Sequence, residues 1–388
     1  MSGPLDGVRI LDLTRLLPGG YATLLLADLG GDVVKVEEPG RGDYIRWTPP
    51  IVDGESAAHR ALNRGKRSAT LNLKDPSGVD LLRRLAGRFD VLIESFRPGV
   101  MDRLGVGPAA LAEAHPRLVY CAISGYGQDG PYREAVGHDI NYMGYAGALG
   151  LTGPAGGPPV VPAVQVGDLA GGGMAAAIGI VAALLERERT GRGRFVDTSM
   201  TDGVVSWLSI HAGEFLATGT EPERGRMALS GAYACYRVYR CADDRYLTVG
   251  ALEPQFWTAL CSALGVPDFV HTQYGPPEQQ EQMAGRLEAI FAERPRDEWL
   301  EQLAGLEACV GPVNTLGEAF ADPQIAHRGL IADIVGRPVG PASPFVMDGE
   351  RIQRLAPAPG FGEHTAGILA EVGITEQELP DLRSRGVI

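Results

Sequence analysis

The chain of 388 residues is longer than one ordinary domain and suits two. Its 45% apolar content supports a substantial core, its 21% charged content rules out wholesale disorder, and a net charge of −13 argues against general attraction to nucleic acid or anionic lipid. Glycine stands apart at 53 residues, about twice its usual share, with no Gly-X-Y period to explain it.

Along the first half, apolar runs alternate with helical ones. Val8–Leu13 predicts a strand, followed by Pro18-Gly19-Gly20 and a helical run over Tyr21–Leu29 that Gly30-Gly31 stops. Asp32–Glu37 predicts a second strand. Asp75-Pro76 is a helix start, an N-cap acid with proline at the first helical position, and its helix delivers a third strand at Asp90–Glu94. Arg117–Ile123 and Phe195–Thr198 predict two more. This alternation implies βαβ units and a largely parallel sheet. The first strand leads into PGGYA rather than G-x-G-x-x-G, so the dinucleotide fingerprint is missing.

Later segments are organised differently. The longest nearly uncharged apolar run, Leu169 to Leu185, is short for a spanning helix and predicts a buried one. Ala232–Arg240 and Asp244–Gly250 predict a hairpin, with helices at Pro254–Leu264, Pro277–Glu293 and Arg296–Ala304 after it. A capped helix is expected from Thr375, with Glu378 closing a capping box. MSGPLDGVRILDL lacks the layout of a signal peptide, so a soluble cytoplasmic protein is expected. Cys121, Cys235, Cys241, Cys261 and Cys309 form no CxxC pair, so no metal site or disulfide frame is expected.

Between Arg41 and Arg103 the charge balance reverses, with twelve Lys/Arg against eight Asp/Glu. Arg64, Lys66 and Arg67 cluster in NRGKRSATLNLK, and Arg97 and Arg103 lie in FRPGVMDRLG. Such a window is either a solvated basic face or a site for a phosphate-bearing ligand. Three residues are candidates for chemistry. His138 sits beside Asp139 in VGHDINY. Asp168, in VGDLAGGG, has the position of a helix N-cap, and Gly171-Gly172-Gly173 behind it weaken that first turn while opening backbone to a ligand. Glu253 precedes a proline-started helix in GALEPQFW.

GHDINY (137–142), VGDLAGGG (166–173) and VGALEPQFW (249–257) together resemble the α-methylacyl-CoA racemases, within the family III CoA-transferase (CaiB/BaiF) group. LDLTRLLPGGYATLLLADLGGDVVKVEEPGRGD, NRGKRSATLNLK, FRPGVMDRLGVGP and the terminal GEHT are similar to segments of the wider group, in collinear order. The resemblance implies an α/β fold with a large Rossmann-like domain built from both termini (1–200 and 326–388), a linker (201–228) and a smaller α+β domain (229–325). It further implies an interlocked homodimer. His138 and Asp168 match the paired acid/base residues, and Glu253 an acid reaching the site from the partner chain. CoA contacts fall on Leu71, Asn72, Leu73, Lys74, Ser95, Phe96, Arg97, Arg103, Gly137, Asp139, Ile140, Asn141 and Tyr142.

The implied reaction inverts a 2-methylacyl-CoA by moving one proton, with no cofactor or metal beyond the CoA of the substrate. Amides at the start of the Asp168 helix are expected to help hold the enolate oxygen. The rival within the group is a CoA-transferase using Asp168 as nucleophile, against which His138 counts, since a transferase needs no second base. A non-catalytic CoA-binding protein is the third reading, disfavoured by the intact acid/base set.

Overall fold

Short apolar runs build one sheet. In the computed structural model, which describes residues 3–388, its strands are Arg9–Leu13 (β1), Asp32–Glu37 (β2), Arg67–Thr70 (β3), Val91–Glu94 (β4), Val119–Ser124 (β5) and Phe195–Ser199 (β6). They pair in the order β3-β2-β1-β4-β5-β6, every pair parallel. Both faces are covered, which is why β1, β2, β4 and β5 read as near-continuous apolar runs. One face packs Leu82 and Leu85 of the helix Pro76–Ala86, joined by Ile368, Leu379 and Val387 from the end of the chain. The other packs Leu25 and Leu26 of Leu16–Asp28 (α1) with Ile180 and Leu184 of Ala175–Thr190.

The strand order is that of a doubly wound sheet, although the glycine fingerprint is missing. Its direction reverses between β1 and β4, and ligands of such folds lodge outside the carboxyl ends of strands at that switch point. The residues following β1 (Thr14, Arg15, Leu16) and β4 (Ser95, Phe96, Arg97) therefore flank that crevice.

Several local expectations are corrected. α1 begins at Leu16, so Pro18-Gly19-Gly20 lie inside its first turns rather than in a loop. A Cβ on Gly19 would stand only 2.1 Å from the Thr14 side chain, so this glycine admits Thr14. The edge strand β3 was not anticipated. Thr375 and Glu378 bond as foreseen, Thr375 N donating to Glu378 Oε2 at 2.8 Å, but the helix itself starts only at Leu379.

The chain divides into two compact units: one takes it through Ala148, Pro162–Leu208 and Pro323–Ile388, the other Leu149–Val161 and Ser209–Asp322. Residues 201–228, expected as a linker, carry most of the helix Met200–Trp207 and all of Ser209–Thr218, and 149–161 group with the second unit. In that unit an antiparallel sheet places Tyr246–Gly250 between Tyr236–Arg240 and Val310–Pro312. Its core is aromatic, around Trp257, Phe291 and Trp299.

The run Val166–Thr190 is long and apolar enough to cross a membrane by length and composition, spanning 25 residues. One side of it is buried in the unit's core through Gly171, Ala176, Ile180 and Leu184. Cys121, Cys235, Cys241 and Cys261 are buried free thiols, and Cys309 is an exposed one.

Candidate active site

Two cavities open at the switch point. The first, of about 510 Å³, is lined by His138 and Asp168 together with Ser95, Phe96, Arg97, Gly137, Asn141 and Tyr142. The second, of about 390 Å³, is lined by Leu71, Asn72, Leu73, Lys74 and again Phe96. The expected residues thus gather in two adjacent groups. Arg103 ends the short helix Val100–Arg103 and is exposed, and Ile140 is likewise exposed; neither lines either of these two cavities. Glu253 lies in the second unit, exposed at the N-cap of Pro254–Ala263, where its side chain makes no capping bond.

His138 is the N-cap of the helix Asp139–Tyr145. Its amide donates to Asn141 Oδ1 at 3.0 Å, fixing the backbone while the exposed imidazole faces the cavity. Asp168 is not an N-cap. It sits within a π-helical stretch, Val166–Met174, that runs into the following α-helix. Such wide turns concentrate at functional sites. Burial, reinforced by the neighbouring Asp139 carboxylate and opposed by His138, pushes the Asp168 carboxyl up to about 6. That is the range where imidazoles titrate.

Two expectations about this stretch are narrowed. The Asp168 amide donates to Asp139 Oδ1 at 3.0 Å and the Leu169 amide to the Gln165 carbonyl at 2.9 Å, so neither is free for an enolate oxygen. Asp139 accordingly acts from behind Asp168 rather than from the cavity wall. The glycines behind Asp168 serve packing: a Cβ on Gly171 would meet the Met200 carbonyl at 2.6 Å, and one on Gly173 the Pro18 carbonyl at 2.8 Å.

The basic window also divides. Arg64, fully buried, forms a bidentate pair with Asp28 at 2.5 and 2.6 Å. Lys66, also buried, donates to Gly20 O, Thr23 Oγ1 and Asn63 Oδ1. Arg67 pairs with Asp32. This cluster, open to reading as a solvated basic face or a phosphate site, is instead spent inside the fold. The Gly65 turn between its members needs a positive φ of 73° and packs on Arg354, so it too is structural. His364 of the terminal GEHT segment accepts the Ser68 amide at 3.3 Å through Nδ1, as a structural residue should.

Two cationic residues escaped the sequence reading. Arg15 and Arg133 both line the first cavity, and Arg15 lines the second as well. Neither sits in a charge cluster; the only signal for Arg15 was its place directly after β1. Met200 and Tyr142 also line the first cavity, whereas Trp207 is exposed. Among the described residues no group of three His, Cys, Asp or Glu converges as metal ligands would.

The model of CoA-transferase family III matches residues 5–365. The chain is 36% identical to human α-methylacyl-CoA racemase, over 99% of this chain and 97% of that one. It is also 36% identical to human succinyl-CoA:glutarate CoA-transferase, over 99% and 90% of the respective chains. A crystal structure of a CaiB/BaiF family protein from Brucella suis superposes with a TM-score of 0.85 at 33% identity, covering 96% of this chain and all of that one. An α/β fold with a parallel central sheet, matched along nearly its whole length to these enzymes, makes the chain a member of CoA-transferase family III.

Proposed function

We propose that the protein is a racemase or epimerase of 2-methylacyl-CoA thioesters, working by 1,1-proton transfer with His138 and Asp168 as the acid/base pair. The observation that carries this reading is that both groups line one cavity while burial lifts Asp168 to about 6. A carboxyl raised toward neutrality both accepts and returns a proton near neutral pH, as a general acid and base in one cavity must. One takes the proton from C2, the C–H electron pair passes into the thioester carbonyl as an enolate, and the other returns a proton to the opposite face. The pair ends each turnover with its protonation states exchanged and its total charge unchanged.

With the Asp168 and Leu169 amides engaged, a side chain on the cavity wall is a further donor for the enolate oxygen. Asn141 lines the cavity and its Oδ1 holds the His138 amide, which leaves its Nδ2–H₂ for this task. In this reading Glu253 acts from the partner chain of an interlocked homodimer, in the cytoplasm and in lipid metabolism. Large exposed apolar side chains favour a dimer: Ile178 at 64%, Leu185 at 65% and Trp207 at 60% exposed are what an interface would cover.

Equal identity to a succinyl-CoA:glutarate CoA-transferase supports a second reading. There the Asp168 carboxylate attacks the thioester and CoA leaves as thiolate; the thiolate then attacks the aspartyl carbonyl of the anhydride, releasing the donor acid and leaving an aspartyl-CoA thioester, and the acceptor carboxylate takes up CoA by the same two steps in reverse. One experiment separates the two. A single epimer of a 2-methylacyl-CoA is incubated in D₂O, with and without an added carboxylic acid. Inversion with deuterium at C2 is the expected result; CoA transferred to the added acid without exchange overturns it. His138→Ala is expected to lower the inversion rate by about 10²–10⁴-fold with thermal stability unchanged.

A further inference from the structure

In doubly wound folds the phosphate of a ligand commonly rests on the N-terminus of the helix after β1, held by its free amides. Here that position is taken by the protein itself. Both oxygens of Asp43 accept the Leu16 amide, at 3.1 and 3.2 Å, and Lys35 fixes Asp43 from behind at 2.8 Å. A buried carboxylate at the head of α1 closes it to any phosphate, which is the structural counterpart of the missing glycine fingerprint. The turn is strained as well: Leu16 has a φ of +60°, which side-chain-bearing residues rarely adopt.

What the turn presents instead is Arg15. It lines both cavities, as do Phe96 and Tyr44. Its guanidinium stands 5.6 Å from the Phe96 ring centre and 5.9 Å from that of Tyr44. Its amide donates to Ser95 Oγ at 3.1 Å, tying the ends of β1 and β4 together. The carboxylate beside it, Glu38, is 3.6 Å away and more tightly held by Lys74 at 2.6 Å. The other acids on this wall are engaged elsewhere, Glu37 by Arg46 and Asp43 by Lys35. Arg15, Arg41 and Lys74 therefore surround one carboxylate, leaving the rim between the cavities positively charged.

The geometry points to Arg15 as the residue that holds the diphosphate of a bound acyl-CoA where the ligand passes from one cavity to the other. This rests on the acyl-CoA reading above. With the reacting carbon beside His138 and Asp168 and the nucleotide beside Leu71–Lys74, the diphosphate is the anionic part between, and a planar guanidinium fork suits it.

Calorimetry with CoA, dephospho-CoA and pantetheine tests the assignment without turnover. Arg15→Gln is expected to weaken CoA and dephospho-CoA by the same factor, about 10–100-fold, and to leave pantetheine within about twofold of wild type. Arg15→Lys, which keeps the charge but not the fork, should fall between and guards against a folding artefact. An equal loss for all three ligands, or a loss for CoA that vanishes with dephospho-CoA, overturns the assignment, since the first means general damage and the second a 3′-phosphate contact. Wild-type protein that binds pantetheine as tightly as CoA overturns the acyl-CoA reading itself and Arg15's role with it.

Discussion

Two sides of the same sheet bury carboxylates in opposite ways. Around β1, β2 and β3, four buried or nearly buried acids each meet a cation: Asp12 with Lys66, Asp28 with Arg64, Glu37 with Arg46 and Asp43 with Lys35. Despite burial, Asp12 and Glu37 are held below the ordinary carboxylate range by Lys35, Lys66 and Arg46 and by hydrogen bonds. Around β4, β5 and β6 lie Glu94, Asp168 and Asp197, with no Lys or Arg pairing to any of them among the described residues. Desolvation outweighs the hydrogen bonds and the neighbouring His138 that oppose it, and all three are pushed up, Glu94 to about 7, Asp168 to about 6 and the solvent-exposed Asp197 in the same direction. The first side has turned its charge into structure. The second keeps two acids, Glu94 and Asp168, that gain and lose protons near neutral pH, and the reactive residue of the proposed mechanism is one of them.

The largest effect on stability should come from breaking the paired side. Arg64→Leu leaves Asp28 buried without its partner, and breaking a buried pair from one end typically costs about 3–5 kcal/mol. A drop of that order in the denaturant-unfolding free energy is expected. Lys74→Ala, on the exposed rim, should change it by less than about 0.5 kcal/mol. If the two variants are equally stable, the division between structural and ligand-facing cations collapses.

Glu94 sharpens the contrast from the other side. Its carboxylate accepts the Phe96 amide at 2.6 Å and lies near the Tyr120 hydroxyl, yet burial still lifts it from an ordinary 4.5 to about 7. A raised carboxyl is neutral in both states below about pH 4.5, so it carries no penalty there. As pH climbs through the folded value the unfolded chain holds the charge more comfortably, and stability falls until the loss is complete above about pH 7. Glu94→Gln keeps an acceptor for Phe96 and removes the charge. It should match wild type at pH 4.5 and exceed it by on the order of 1–3 kcal/mol at pH 8. A gap that is constant with pH would show that Glu94 is compensated by something other than protonation.

Little of this division was legible in the sequence, although much of the fold was. The strands of the switch point announced themselves as apolar runs because both their faces are buried. β3, Arg-Ser-Ala-Thr at the sheet edge, has no such run and went unread. A basic cluster looks the same whether it is buried against Asp28 or open to a ligand, since its partners are brought in by folding from other segments. The window around Arg64 and Lys66 stayed open between two readings, neither of which was the buried pairing, for that reason, and Arg15 was missed because strand order, not spacing, gives it its place. His138 and Asp168 were legible through their surrounding motifs. The glycines behind Asp168 correctly signalled a close approach, but what approaches is the Met200 and Pro18 backbone rather than a ligand.

The smallest predicted effect tests how the unpaired side tunes Asp168. Asp139 touches it twice, by charge and by accepting its amide through Oδ1. Asp139→Asn can retain that hydrogen bond while removing the charge, so only the electrostatic part changes. The Asp139 charge raises Asp168, hence the variant should lower it, by up to about one pH unit. In the direction where Asp168 removes the proton it must start ionised, and the acidic limb of kcat/KM should move to lower pH. In the reverse direction Asp168 must start protonated, and the basic limb should move down with it. Profiles measured from both epimers should therefore shift the same way, with the rate at the optimum little altered. A shift upward, or in one direction only, would mean that Asp168 is not half of an exchanging pair.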